Sequence, residues 1–126
     1  MTDNTNPRAS ITEAEIQDGK TMAILAYIFF IIPLLTSRDK KFAMYHTEQA
    51  LILWIATVVI YIAMWILIFI VGKISSGLAC IASFGMLVPW IAYIVLWIMG
   101  LLNAVGGKVK ALPIIGTYGE KLNLVK

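Results

Sequence analysis

Tyr45, His46, Glu48 and Gln49 are the residues of this chain whose types and spacing could do acid–base, metal-binding or hydrogen-bonding chemistry together. On a helix that begins near Phe42, Tyr45 and Gln49 stand four apart and His46 and Gln49 three apart. They therefore gather on one side of its first turns, with Glu48 partly around the cylinder. Catalysis would need a partner nucleophile, a second base or a metal set. The sequence has one histidine and one cysteine, holds no HExxH and no GxSxG, and carries no acidic residue inside an apolar run. No catalytic residue, metal ligand or cofactor is expected, and the chain is read as non-enzymatic. Two readings remain for the cluster. Its side chains bond to helix-start amides and lipid headgroups, or they form a docking point for the C-terminal tail or a partner.

The elements that must position this cluster are greasy. The chain has 126 residues, 60% hydrophobic and 13% charged, with a mean hydropathy of +0.87, beyond the apolar share of soluble domains. Three apolar runs account for this: Met22 to Leu35, Ala50 to Val71 and Leu78 to Val105. As helices the second covers about 33 Å and matches a hydrocarbon core of about 30 Å, and the third covers about 42 Å, with Pro89 to kink it and Ser83 and Gly85 to soften it. The first covers only about 21 Å, a length that also suits a buried or re-entrant segment. Lys20, Gly19 and Thr36 to Ser37 can extend it, and it is taken as a span.

The expected fold is all-α, a polytopic integral membrane protein. Residues 1–18 form a polar, largely disordered N-terminal tail, and residues 19–107 a three-helix transmembrane domain with spans at about 20–36, 49–72 and 80–104. Residues 108–126 form a C-terminal interfacial tail. In that tail Gly106 and Gly107 stop the third helix, Pro113 opens a new segment, and Ile114, Ile115, Tyr118, Leu122 and Val125 fall on one face. The turn GKISSG between the second and third runs makes them an antiparallel hairpin.

Three spans place Arg8, Lys20 and Lys73 on one side. Arg38, Lys40, Lys41, Lys108, Lys110, Lys121 and Lys126 fall on the other. The positive-inside rule then puts the His46 loop and the C-terminus in the cytoplasm and the N-terminus outside a cell membrane crossed several times. The net charge of +3 is explained by this flanking role, so no nucleic acid is expected as partner, and no small-molecule substrate is indicated. The lipid bilayer is the expected partner, with a homo-oligomer or another membrane protein beside it.

Gly100, Asn103, Ala104 and Gly107 fall at i, i+3, i+4 and i+7, one small helical face suited to close backbone approach and to an interhelical hydrogen bond from Asn103. Internal packing and a homodimer seam are the two readings of it. Trp54, Tyr61 and Trp65, and Trp90, Tyr93 and Trp97, form two aromatic stripes near helical spacing, read as mutual packing or lipid contact.

Three ordered motifs, KTMAILAYIFFIIPLL, KFAMYHTEQALILW and GLLNAVGGKVKALPIIGTYGEKL, resemble the small hydrophobic membrane subunit of the Tic translocon of the chloroplast inner envelope and its bacterial and archaeal relatives. The residues carrying the resemblance include Lys20, Tyr45, His46, Gln49, Asn103, Ala104, Gly107, Lys108 and Leu112 to Gly116. It implies a translocon-like accessory component of protein transport at the inner membrane. In this expectation Tyr45, His46, Gln49, Asn103, Gly107 and Pro113 form a cytoplasmic interaction patch. A homo-oligomeric channel is the alternative function.

Overall fold

The computed structural model describes residues 11–125, all in helices, turns and loops, with no strand among them. Helix α1 spans Glu13–Phe29, α2 Ile31–Thr36, α3 Lys41–Ile74, α4 Ser76–Phe84, α5 Leu87–Val105 and α6 Gly116–Glu120.

The polar segment expected as a tail through Asp18 is corrected over its last six residues, which are the start of α1; residues 1–10 lie outside the described residues. Thr12 explains the start. Its Oγ1 accepts from the Glu15 amide at 3.2 Å and Glu15 Oε1 accepts from the Thr12 amide at 3.3 Å, a reciprocal cap. Along α1, Gly19, Ala23 and Ala26 are buried, and this small-residue stripe lets the helix lie close to α3. A Cβ at Gly19 would stand 3.0 Å from the Ala43 nitrogen.

The three expected spans are corrected to two helices long and apolar enough to cross a membrane, Lys41–Ile74 and Ser76–Val105. Among the described residues the first apolar run forms no helix long and apolar enough to cross. It breaks after Phe29, and Pro33 then sits in the first turn of α2, where its missing N–H costs no helical bond. The chain then turns back, because Lys40 Nζ lies 3.0 Å from Asp18 Oδ1 and Lys41 Nζ 3.6 Å from Glu15 Oε2. Both ends of the run thus meet at one end of α3. Further along, Phe30 packs on Trp54 with ring centroids 5.8 Å apart, so α1 and α3 run side by side in the same sense.

Helix α3 begins eight residues before the expected second span and is about 51 Å long. Ser75 alone separates it from α4: its amide donates to Val71 O at 2.8 Å, and its hydroxyl accepts from the Leu78 amide at 3.3 Å. The third run is interrupted at Gly85 and Met86, whose amides donate to Ala82 O and Ser83 O in a tightened turn. Pro89 again falls in a first turn, that of α5. Tyr61 Oη donates across the hairpin to Met86 O at 2.9 Å.

Burial divides the molecule into two parts. Phe42 to Ala50 of α3 are all buried, whereas Trp65, Phe69, Ile81, Phe84 and Val88 on the hairpin are about two-thirds exposed. Almost none of either long apolar window is covered by the chain itself. A helix that is apolar all round and uncovered has hydrocarbon, not water, as its compatible surroundings.

Candidate functional site

The buried start of α3 carries five polar side chains in succession, Tyr45 to Gln49, and all but Thr47 are tied to another part of the chain. His46 is fully buried. Its Nε2 lies 2.9 Å from the Lys108 carbonyl oxygen and its Nδ1 2.8 Å from Tyr27 Oη. A carbonyl only accepts, so Nε2 carries the proton. Burial, only partly offset by the Lys108 carbonyl, pushes the imidazole down from its ordinary 6.5 to about 4. At neutral pH the ring is therefore uncharged, Nδ1 is a lone pair and Tyr27 donates to it. The rings of Phe42, Tyr45 and Tyr27 surround the imidazole edge-on, at centroid distances of 4.8, 5.4 and 5.5 Å.

Gln49 reads the backbone of the tail with both ends of its amide. Its Nε2 donates to Gly116 O at 2.9 Å, and its Oε1 accepts from the Leu112 amide at 2.9 Å. Glu48 Oε2 accepts from the Leu124 amide at 3.3 Å, and Tyr45 Oη donates to Glu120 Oε1 at 3.4 Å. Thr47 Oγ1 donates to Ala43 O, four residues back. No buried side-chain nitrogen or oxygen among the described residues lacks a partner.

The tail reaches this position through a Schellman ending of α5. The Lys108 amide donates to Asn103 O at 2.8 Å and the Gly107 amide to Ala104 O at 3.2 Å, with Gly107 at φ +70°. This turn aims the Lys108 carbonyl back at His46. Glycine is also required at the docking point: a Cβ at Gly116 would lie 2.6 Å from Gln49 Oε1, and one at Gly119 2.8 Å from Ile52 Cγ2. The expected apolar face of the tail is corrected accordingly. The helix there is five residues long, Val125 is buried, and Ile114 and Tyr118 point away, 87% and 57% exposed.

Tyr45, His46 and Gln49 are thus brought together against the tail. The side chain of Asn103 makes no hydrogen bond among the described residues and contributes its carbonyl instead, and Pro113 stands in the turn before α6. On the small face of α5, the Tyr27 ring covers Gly100 and Ile16 covers Gly107, while Ala104 is buried. Trp97 Nε1 adds a bond to Tyr27 O at 2.7 Å. Tyr27 and Gly119 were not singled out from the sequence, and Gly116 entered only among the residues carrying the resemblance. The signal for Tyr27 was faint: a tyrosine one turn beyond an alanine, on the small-residue side of the first run.

These features define a class: an all-α protein with two long apolar helices whose polar side chains are knotted at one end. Within it, residues 18–118, four-fifths of the chain, match the magnetosome magnetite crystal formation protein family, and the chain belongs to that family. No curated protein and no solved structure matches it. The family match overturns the resemblance to the Tic translocon subunit, and with it both the transport-accessory role and the channel alternative. The three motifs carrying that resemblance fall almost wholly inside the matched residues, so they belong to a different family signature.

Proposed function

We propose that this chain is a small, non-enzymatic integral membrane protein that takes part in magnetite crystal formation, with α3 and α4–α5 as its anchor and the His46 knot as a compact head at one membrane face. The observation that carries this is the division of the molecule. The hairpin is bare apolar surface, while the polar side chains of Tyr45 to Gln49 are spent on the chain's own groups at one end of α3. A non-enzymatic role is supported by the same fact, since the side chains able to move a proton are buried and already bonded.

With two spans, the start of α1, the 37–40 loop and the tail share one side. Seven of the eight described Lys and Arg residues lie there, Lys20, Arg38, Lys40, Lys41, Lys108, Lys110 and Lys121, against Lys73 alone at the hairpin turn. The positive-inside rule favours the cytoplasm for the head, and the start of α1 stands with it, not outside. The bilayer is the partner of the hairpin, and the short α1–α2 run dips into it and returns.

The direct test is co-precipitation of ferrous and ferric iron in the presence of proteoliposomes carrying the full chain. Crystal number and size are read by electron microscopy. A size distribution displaced from that of protein-free liposomes is expected. Coincident distributions would overturn the proposal.

A further inference from the structure

Ile114 holds a backbone shape that its side chain disfavours. Its φ is +71°, and the Ile115 amide donates across it to Pro113 O at 2.8 Å, so residues 113–115 form a three-residue turn of the rare, strained kind. A β-branched residue is costly there, where glycine or asparagine fits more easily. The turn persists because Gln49 grips the chain on either side of it, at the Leu112 amide and the Gly116 carbonyl. The strain has a visible product. Ile114 is 87% exposed, more than any other large hydrophobic residue among those described.

The contacts of α6 fix its level along α3. A Cβ at Gly116 would meet Gln49, and one at Gly119 would meet Ile52 Cγ2 and the Glu48 carbonyl oxygen. Both glycines therefore face α3 between Glu48 and Ile52, within about one helical turn of Ala50, where the apolar run to Val71 begins. Tyr118 lies on the side of α6 away from them and is exposed like Ile114. Lysines stand around this pair. Lys121 Nζ lies 4.9 Å from the centre of the Tyr118 ring, Lys110 is exposed, and neither has an ion pair among the described residues.

An exposed isoleucine and tyrosine, level with the start of an apolar span and flanked by unpaired lysines, match the boundary between acyl chains and anionic headgroups. Tyrosine rings settle at that depth, and lysines reach from it to phosphate. We propose that the 113–121 segment is a foothold on a phospholipid leaflet, with Ile114 and Tyr118 entering the acyl boundary beside α3 and Lys110 and Lys121 on anionic headgroups. This rests on α3 spanning a membrane. Carbonate extraction tests that separately, since a chain released into the aqueous phase fails as an anchor whatever its tail touches.

Thr117 is exposed between the two residues and can carry a nitroxide label without replacing either. In a Cys80→Ser background, Thr117→Cys would be labelled in the full chain in nanodiscs, with Arg38→Cys in the loop before α3 as the aqueous reference. Spin relaxation by oxygen, which concentrates in lipid, would be compared with relaxation by a water-soluble nickel chelate. Oxygen is expected to dominate at position 117 and nickel at position 38. Adding phosphatidylglycerol to phosphatidylcholine is expected to raise the oxygen share at 117, and Lys110→Gln with Lys121→Gln to abolish that rise. Ile114→Asn, which suits the strained turn better, is expected to return position 117 to nickel dominance at unchanged helicity, and Ile114→Leu to keep it with oxygen. Nickel dominance at 117 in a wild-type chain that resists carbonate would overturn the proposal. Spin–spin broadening at 117 would do the same, because a second copy would then cover the patch. An oxygen share indifferent to phosphatidylglycerol would overturn the headgroup contact, and one indifferent to Ile114→Asn would overturn the role of Ile114.

Discussion

Tyr27 and Gly100 fit together so closely that a Cβ at position 100 would stand 2.7 Å from Tyr27 Cζ and 2.8 Å from its hydroxyl oxygen. The same hydroxyl donates to His46 Nδ1, so one tyrosine links α1, α3 and α5. Gly100→Ala must push the ring off the α5 backbone and lengthen the Tyr27 to His46 bond. A loss of about 1–3 kcal/mol is expected from overpacking, read as a lowered thermal midpoint in detergent. Ala104→Ser, at the neighbouring buried position, tests whether any added atom on this face is as costly; a smaller loss is expected there.

The tail clamp gives a second outcome. Removing the Gln49 amide with Gln49→Leu strands the buried Leu112 amide and Gly116 carbonyl together. The cost is about 2–4 kcal/mol, from two unsatisfied backbone groups. Its local signature is more telling than the midpoint: limited proteolysis is expected to cut between Gly106 and Ala111 in the variant and not in the wild type. An uncut tail in the variant would show that Gln49 does not hold it.

Acid should loosen the knot through His46. Its folded value is about 4 against an ordinary 6.5, so between those values the unfolded chain binds the proton that the folded chain refuses. Stability is therefore fully present above pH 6.5 and falls as pH drops toward 4, by on the order of 3 kcal/mol. Glu15 works in a lower window. The Thr12 backbone bond holds its carboxyl below the ordinary 4.5, so its contribution is present above 4.5 and lost below it. Unfolding midpoints at pH 7.5 and 5 separate the two, and His46→Gln is expected to flatten the difference between them.

Sidedness can be read from maleimide labelling of intact cells, in a Cys80→Ser background. Glu13→Cys and Lys110→Cys are expected to label from the same side and Ser76→Cys from the other. Labelling of position 13 together with position 76 would restore a third crossing.

Two of the long helices were legible because hydropathy is a local property: Ala50 to Val71 is as apolar in isolation as it is in place. The first run misled because length and apolarity do not distinguish a crossing from a return. What decides it is the pairing of Glu15 with Lys41 and of Asp18 with Lys40, together with Gly19 lying against Ala43, none of which a window of neighbouring residues contains. The cluster at Tyr45 to Gln49 was visible as a set of residue types on one helical side. Its partners were not: most are main-chain atoms of Lys108, Leu112, Gly116 and Leu124, and backbone carbonyls and amides leave no mark on sequence, while the two side-chain partners, Tyr27 and Glu120, lie 19 and 75 residues away. Gly116 and Gly119 are the places where α3 comes too near for any side chain, a closeness that a glycine in a tail does not by itself reveal.

Helix α3 is unbroken from Lys41 to Ile74, so the knot and the outer half of the hairpin are mounted on a single rod. No hinge lies between them. A bilayer that thickens, thins or curves changes the inclination of that rod, and the head must swing through the same angle, carrying its seven cations with it. The protein is thereby built as a lever, with its fulcrum in the lipid and its short arm at the surface.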